Sequence, residues 1–239
     1  PESIFLLLCL LPAVYTWTLT CVFVCADICP DDPTVQSVIV DVHNAFRRAV
    51  EPAAADMLMM VGFFQRYELG ENLFYSTSPN SWTSVINAWY KEVSHFTFPN
   101  ASTNGKPIGH YTQVVWNSSY KVGCGVTLCS NNIYLYGCHY YRTLFHICSL
   151  QNRPQHFMST FSDTSSYGNF KRWPPYKVGT PCASCPNNCV DKLCTNPCPY
   201  INQYLNCPAL KALTGCQNVH IAAWCPASCK CSTEIIPVY

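Results

Sequence analysis

Cysteine is the residue whose number and spacing most clearly indicate a chemistry in this chain of 239 residues. Ten of the eighteen cysteines lie in the fifty residues from 182 to 231. A module of that size buries little apolar surface, and the disulfides that would stabilise it persist only in oxidising compartments. The pattern therefore predicts a disulfide-bonded C-terminal module in a secreted, extracellular protein.

Two Asn-x-Ser tripeptides could carry N-linked carbohydrate in such a protein. They begin at Asn100 and Asn117. We expect Asn117 to be accessible because it lies in a turn between two predicted strands.

The charge balance excludes some partners. Fourteen Lys and Arg face thirteen Asp and Glu, and no block of like charges occurs. A nearly neutral chain gains little attraction from phosphates, so nucleic acid is not expected as a partner.

The N-terminal residues 1–26 form an apolar leader. Residues 4–26 carry no charge and are long enough to span a bilayer. Val24-Cys25-Ala26 ends on a small residue, as a signal cleavage site does. We interpret 1–26 as a secretory signal or its remnant, with a membrane anchor over 4–26 or a segment unrelated to the mature protein as alternatives.

The residues before the cysteine-rich module predict an α+β domain over 34–170. Apolar residues recur at helical spacing over 34–50 and 81–96. Stretches rich in β-branched and aromatic residues, which predict strands, are 110–116, 120–127 and 133–141. Residues 142–167 lack periodicity and predict an irregular insertion, and the proline-rich 171–181 predicts a stiff linker.

Three motifs of this domain resemble those of the CAP superfamily, the fold of cysteine-rich secretory proteins, venom allergens and plant pathogenesis-related proteins. Residues 109–119, GHYTQVVWNSS, resemble its first signature, and residues 135–140, LYGCHY, resemble the opening of the second. Residues 70–72, GEN, resemble its acidic motif. The C-terminal module is similar to the hinge and ShK-like (ShKT) domain that follow CAP in cysteine-rich secretory proteins.

The resemblance implies an α-β-α CAP sandwich with a three-stranded antiparallel sheet. A disulfide-rich hinge over 182–194 and a helical ShK-like module over 198–231 would follow it. The disulfides that it implies are Cys124–Cys138, Cys182–Cys189, Cys185–Cys194, Cys198–Cys231, Cys207–Cys225 and Cys216–Cys229.

Two departures from the family pattern alter the CAP half. Only residues 61–69 stand where the family has a longer helical segment with a Cys and a His. The insertion 142–167 interrupts the second signature, whose closing Gly-Asn-aromatic stands at 168–170. Cys129 thereby loses its family partner, which Cys148 could replace.

The resemblance also implies a candidate zinc site. In CAP domains two His and two Glu converge in a cleft that can hold zinc, and three of them carry over as Glu71, Glu92 and His110. The other His lay in the missing segment, so we expect at most weak zinc binding and no required cofactor. His43 and His95 lie on predicted helices, where we interpret them as surface or capping residues.

Aromatic and basic residues of the ShK-like module form a candidate recognition surface: Tyr200, Tyr204, Lys211 and Trp224. Rigid aromatic side chains make effective binding anchors. The module lacks the adjacent Lys and aromatic of related potassium-channel toxins, so we do not expect it to plug a pore. The resemblance implies ion-channel regulation, recognition of cell-surface proteins or the sperm membrane, or innate defence.

Two other hypotheses stay open beside this non-enzymatic one. The cleft could hydrolyse peptides with His110 as base, Glu71 or Glu92 to orient it, and Ser84 or Ser94 as nucleophile. No Gly-x-Ser-x-Gly elbow fixes that nucleophile. Alternatively the CAP half is partly misfolded, because losing a helix and its disulfide could cost as much as a domain's whole stability.

Overall fold

The computed structural model describes residues 21–23, 28–62, 70–141, 169 and 173–236. Most of the predicted leader 1–26 and the whole predicted insertion 142–167 lie outside these residues. Within them, no helix combines the length and the apolarity needed to cross a bilayer.

The strands are β1 (Cys21–Phe23), β2 (Val61–Gly62), β3 (Gly70–Ser76), β4 (Phe96–Thr97), β5 (Ala101–Ser102), β6 (Lys121–Cys129), β7 (Ile133–Tyr141), β8 (Cys189–Val190) and β9 (Leu193–Cys194). The α-helices are α1 (Pro33–Arg48), α2 (Trp82–Tyr90), α3 (Gly109–Val114), α4 (Cys207–Thr214), α5 (Val219–Trp224) and α6 (Pro226–Lys230). Short 3-10 helices cover Lys91–His95 and Ser130–Asn132. The mixed α/β fold that we predicted is confirmed.

A mainly antiparallel sheet forms the centre of the N-terminal part. β7 lies between β6 and β3, β1 pairs with the other edge of β6, and β2 adds two residues parallel to β6. Side chains alternate between the two faces of a strand. One face is therefore buried, through Val122, Val126, Tyr136, Cys138 and Tyr140.

Helices α1, α2 and α3 pack on this buried face. The Asp32 side chain caps α1 by accepting a hydrogen bond from the N–H of Thr34, and the Ser81 hydroxyl caps α2 by accepting one from the N–H of Ser84. The predictions of helices at 34–50 and 81–96 are confirmed, although the second becomes a 3-10 helix after Tyr90.

The prediction of a strand over 110–116 is wrong, because Gly109–Val114 forms α3. The Glu92 carboxylate accepts the N–H groups of His110 and Tyr111, and so satisfies donors that no bond within the helix reaches. This tertiary contact overrides the β propensity of Val114 and Val115. The third long strand of the sheet is instead β3, which sequence analysis did not predict.

Asn169 supports the same helix from the far side of the insertion. Its amide donates to the carbonyl of Gly109 at 2.8 Å, and its Oδ1 accepts the hydroxyl proton of Thr112. The asparagine of the closing Gly-Asn-aromatic of the second signature therefore lies beside the first signature.

The predicted linker is hydrogen-bonded to the N-terminal part. The N–H of Ala55 donates to the carbonyl of Lys177, and the N–H of Gly179 donates to the carbonyl of Ala53. Residues 177–179 thus pair with 53–55 as a short antiparallel bridge, and this part of 171–181 is not a free linker.

The hinge also packs against the segment 53–59. The N–H of Cys194 donates to the carbonyl of Met57 at 2.8 Å, and the N–H of Met59 donates to the carbonyl of Cys194 at 2.8 Å. Tyr176 and Leu193 are buried in the same core as the sheet and its helices. The CAP half therefore draws core residues from beyond its predicted end at 170.

The helical part, α4 to α6, is joined to the hinge by two chain segments. The N–H of Cys198 donates to the carbonyl of Ile235, and the N–H of Ile235 donates to the carbonyl of Asn196. Ile235 is buried beside Leu58 and the hinge cysteines. The described C-terminal residues therefore return to the interface between the hinge and the segment 53–59.

Candidate functional site

Glu92 and His110 form a tight polar pair in the predicted cleft. Glu92 Oε1 lies 2.8 Å from His110 Nδ1, and Glu92 Oε2 accepts the N–H groups of His110 at 2.8 Å and of Tyr111 at 3.1 Å. Burial acts to raise the pKa of Glu92, but these hydrogen bonds outweigh it and hold the pKa below its ordinary value. The His110 side chain is 42% exposed, so its imidazole stays accessible to solvent.

Glu71 does not join this pair. The neighbouring Asn72 is buried and donates to the carbonyl of His110 at 3.1 Å. Because adjacent strand residues lie on opposite faces, Glu71 lies on the other face of the sheet, where its Oε2 is 2.9 Å from Nε2 of His139. Strand alternation thus separates two residues that the family motif would bring together.

The residues present do not fit a zinc site. Glu92 and His110 meet, but Glu71 does not bring a carboxylate oxygen within 4.8 Å of both of them. Within the described ranges, the group that does so consists of Cys182, Cys185 and Cys194, whose sulfurs are in disulfides. The predicted three-ligand set is therefore not assembled, and no metal chemistry follows from it.

The two serines considered as nucleophiles are engaged elsewhere. Ser84 Oγ lies 3.0 Å from Ser81 Oγ at the start of α2, and Ser94 Oγ donates to the carbonyl of Lys91 at 3.0 Å. Across the part of the chain that the structure describes, no hydroxyl is hydrogen-bonded to His110. The pair Glu92–His110 offers a base with an orienting acid but no nucleophile.

The prediction that His43 is a surface or capping residue is wrong. His43 is fully buried, with Nδ1 2.7 Å from the carbonyl of Ile39 and Nε2 2.9 Å from the hydroxyl of Tyr140. A carbonyl only accepts, so Nδ1 carries the proton and Nε2 accepts from Tyr140. Burial lowers the pKa of His43 to about 4. His43 is therefore a neutral core residue and not a surface or capping one.

Arg47 is a second buried polar residue of α1. Its guanidinium donates to four carbonyls, those of Leu58, Val114, Trp116 and Asn117, at 2.8–3.0 Å. Burial lowers the pKa of Arg47 to about 9, so the group remains charged at neutral pH. Ile39, His43 and Arg47 follow one another at intervals of four along α1, which is the signal that could have placed both polar residues on its buried face.

The expectation that Asn117 is accessible is wrong. Asn117 is 2% exposed, and its Nδ2 donates to Oδ2 of Asp56 at 2.7 Å. Burial raises the pKa of Asp56, whose Oδ1 also accepts the N–H of Lys177. Asn100 is half-buried at the turn between β4 and β5, where its Nδ2 donates to the carbonyl of Trp173 at 2.6 Å.

Six disulfides join the cysteines in the pairs that the resemblance implied: Cys124–Cys138, Cys182–Cys189, Cys185–Cys194, Cys198–Cys231, Cys207–Cys225 and Cys216–Cys229. Cys29 and Cys129 are disulfide-bonded as well. Cys129 is therefore not left over in the altered CAP half, and every cysteine from 182 to 231 is cross-linked.

The predicted recognition residues divide into two groups. Lys211 Nζ donates to the carbonyl of Ser228 at 2.6 Å, and Tyr200 lies under Lys230, whose Nζ is 4.4 Å from the ring centre. Tyr204 and Trp224 instead remain 48% and 39% exposed, with ring centres 5.7 Å apart. The accessible aromatic surface thus centres on Tyr204 and Trp224.

Several solved structures resemble the chain weakly. NaASP2 with Zn2+ is 23% identical, covers 70% of this chain over 100% of its own length, and has a TM-score of 0.47. A hookworm platelet inhibitor is 19% identical over 69% of this chain and 91% of its own, with a TM-score of 0.48. Schistosoma mansoni venom allergen-like protein 4 is 15% identical over 64% of this chain and 100% of its own, with a TM-score of 0.42.

Two family models match the chain more specifically. The model described as the cysteine-rich secretory protein family, CAP, matches residues 40–141, and the model described as Crisp matches residues 182–236. The first range holds β2, β3, β6 and β7 of the sheet with α2, α3 and the second half of α1, and the second range holds the five C-terminal disulfides. The chain therefore contains a CAP domain of the cysteine-rich secretory protein family, followed by a Crisp domain.

Proposed function

We propose that this protein is secreted and binds an ion channel or another cell-surface protein through its Crisp domain, without catalysing a reaction. The family is of the secreted type and generally non-enzymatic. Complete disulfide bonding of the Crisp cysteines fits an oxidising compartment.

One observation carries the proposal: a covalently rigid domain exposes two large aromatic side chains. Three disulfides cross-link α4, α5 and α6 with the residues beside them. Tyr204 and Trp224 stay exposed on this unit. Because aromatic anchors on a rigid scaffold lose little entropy on binding, such a surface suits recognition of a protein partner.

The test applies the purified full chain to cells that each express one candidate channel, with recording of the current. Binding of the fluorescently labelled chain to those cells and to sperm is measured in parallel. We expect a changed current or saturable binding, weakened about tenfold or more by Trp224→Ala. Leu213→Ala, at an 84% exposed position, is the matched control and should bind as the wild type does. Unchanged currents together with no saturable binding would contradict the proposal.

A hydrolytic function is the second candidate, because the contact between Glu92 and His110 is the acid-and-base half of a catalytic triad. A peptide-library assay compares the wild type with His110→Ala. Equal rates for the two proteins would remove this candidate, whereas cleavage that depends on His110 would contradict the non-enzymatic proposal.

A further inference from the structure

Three rings form an exposed aromatic corner on the Crisp domain. The rings of Tyr204 and Trp224 are nearly perpendicular, at 78°, with centres 5.7 Å apart. The His220 ring lies 5.3 Å from that of Trp224, at an angle of 31°. We call Tyr204, His220 and Trp224 the aromatic corner.

The backbone fixes the aromatic corner in place. The N–H of Gln203 donates to the carbonyl of Trp224 at 2.7 Å, which holds the residue before Tyr204 against the end of α5. The disulfide Cys207–Cys225 joins the start of α4 to the residue after Trp224. The two perpendicular rings are therefore presented without any need for chain ordering on binding.

The electrostatic surroundings of the corner are unusual for a protein surface. Residues 198–231 include no Asp or Glu and only two lysines, Lys211 and Lys230. Both ammonium groups are engaged elsewhere, with the carbonyl of Ser228 and with the ring of Tyr200. An aromatic ring carries partial negative charge on its faces, and this range of the sequence has no carboxylates. The ring faces of Tyr204 and Trp224 are therefore what the aromatic corner offers to a cation.

Ring faces in a range of sequence that contains no Asp or Glu favour a bulky, weakly hydrated cation over a primary ammonium group, which needs strong hydrogen-bond acceptors. Leu205 follows Tyr204 and is 60% exposed, and Val219 precedes His220 and is 74% exposed. Apolar side chains beside Trp and Tyr are typical of surfaces that enter the boundary between lipid headgroups and acyl chains.

We propose that the aromatic corner binds the trimethylammonium group of phosphocholine headgroups at a lipid surface. The positive group would lie against the faces of Trp224 and Tyr204, with Leu205 and Val219 toward the acyl chains. This inference deepens the proposed function and rests on it, because the same domain would approach a membrane protein and the lipid around it.

The experiment measures sedimentation of the full chain with vesicles of phosphatidylcholine and with vesicles in which phosphatidylethanolamine replaces most of that lipid. We expect binding to phosphatidylcholine, competition by free phosphocholine but not by phosphoethanolamine, and binding to the second vesicles weakened about tenfold or more. Equal binding to both vesicles, or binding that free phosphocholine does not reduce, overturns the inference. Binding that requires anionic phosphatidylglycerol also overturns it.

Matched variants separate the ring faces from apolar bulk. Trp224→Leu and Tyr204→Leu each keep an apolar side chain, and each should weaken binding about three- to thirty-fold, whereas Trp224→Phe should recover part of the loss. Leu213→Ala is the control and should bind like the wild type. Intact mass without reduction checks that each variant keeps its disulfides. If both leucine variants bind like the wild type, the inference is overturned, whatever the channel currents show. A wild-type chain that binds the vesicles but leaves every current unchanged and shows no saturable binding to the cells would instead contradict the proposed function alone.

Discussion

Arg47 is a buried cation whose hydrogen-bond partners are backbone carbonyls of two separate segments, Leu58 and the stretch 114–117. Arg47→Met would leave those carbonyls unsatisfied in the core, so we expect the free energy of unfolding to fall by about 3–5 kcal/mol. Chemical denaturation measures the loss. Its neighbour Arg48 is the control, because it forms a surface pair with Asp191 in which the side chains are 29% and 64% exposed. Arg48→Met should cost less than about 1 kcal/mol, and equal losses would refute the role of Arg47.

His43 makes stability depend on pH. Its folded-state pKa of about 4 lies below the ordinary histidine value of 6.5, so the unfolded chain takes up a proton first as the pH falls. Stability is therefore unaffected by His43 above pH 6.5 and declines between pH 6.5 and 4, by about 3 kcal/mol in total.

The measurement compares the unfolding free energies of the wild type and His43→Gln across that pH range. The difference between the two proteins should shrink toward acid pH. The raised pKa of Asp56 acts in the opposite direction, but it is present in both proteins and cancels in the comparison. A difference that stays constant with pH would show that His43 is not the titrating group.

Asn117 should remain unmodified although its tripeptide is a glycosylation acceptor. Its amide nitrogen is buried against Asp56, whereas Asn100 lies at a partly exposed turn. Peptide mapping of protein from a secretory host should find carbohydrate at Asn100 and not at Asn117. Glycan at Asn117 would contradict the folded geometry.

Asn117→Gln should lower the unfolding free energy by about 1–3 kcal/mol, since it disturbs a buried hydrogen bond.

At the scale of elements, Leu193 tests whether the hinge belongs to the CAP core. It is fully buried in the same cluster as Trp89 and Tyr111. Leu193→Ala should lower the unfolding free energy of the CAP domain by about 2–5 kcal/mol, followed by CAP tryptophan fluorescence during denaturation. Leu213→Ala, the same change at an exposed position, should leave that transition unmoved. A CAP transition insensitive to Leu193→Ala would mean that the hinge is an independent module.

The sequence predicted those elements whose apolar periodicity matches their own burial. Apolar side chains of α1, α2, β6 and β7 lie in the core or pack against it, so their periodicity was enough to predict these elements. The prediction failed for α3 because the backbone N–H groups of its first turn are hydrogen-bonded by Glu92, a residue of another element. The docking of the hinge on residues 53–59 could not be predicted from local sequence. Backbone hydrogen bonds hold the two segments together, and such bonds place no requirement on the side chains.

The candidate site shows the same limit. Motif resemblance named Glu92 and His110, and these two residues do meet. The Glu92 carboxylate contacts both the imidazole and the backbone N–H of His110 at the start of α3. It could not determine on which face of β3 Glu71 lies, since that depends on the strand's pairing with β7. The faces of Tyr204 and Trp224 became a site only when the disulfides and the backbone placed them side by side.

For the whole molecule, Ile235 holds the helical part of the Crisp domain to the rest of the protein. It is 5% exposed and packs beside Leu58 and the hinge cysteines. Ile235→Ala should raise amide hydrogen exchange at Cys198 about tenfold or more, because the N–H of Cys198 donates to the carbonyl of residue 235 and a cavity would open beside that bond. Val190→Ala, at a 54% exposed hinge position, should leave that exchange unchanged. Unchanged exchange in Ile235→Ala would show that the disulfides alone hold the two parts together.

The pairing of 53–59 with both 177–179 and Cys194 has a consequence for avidity. Any two binding surfaces on the CAP and Crisp domains are separated by a set distance, because a folded segment and not a flexible tether joins them. A partner whose own contact points match that distance would capture the second surface without the entropic penalty of closing a loop. A partner with a different spacing between its contact points would engage one surface only. The protein would therefore discriminate among receptors by the distance between their contact points.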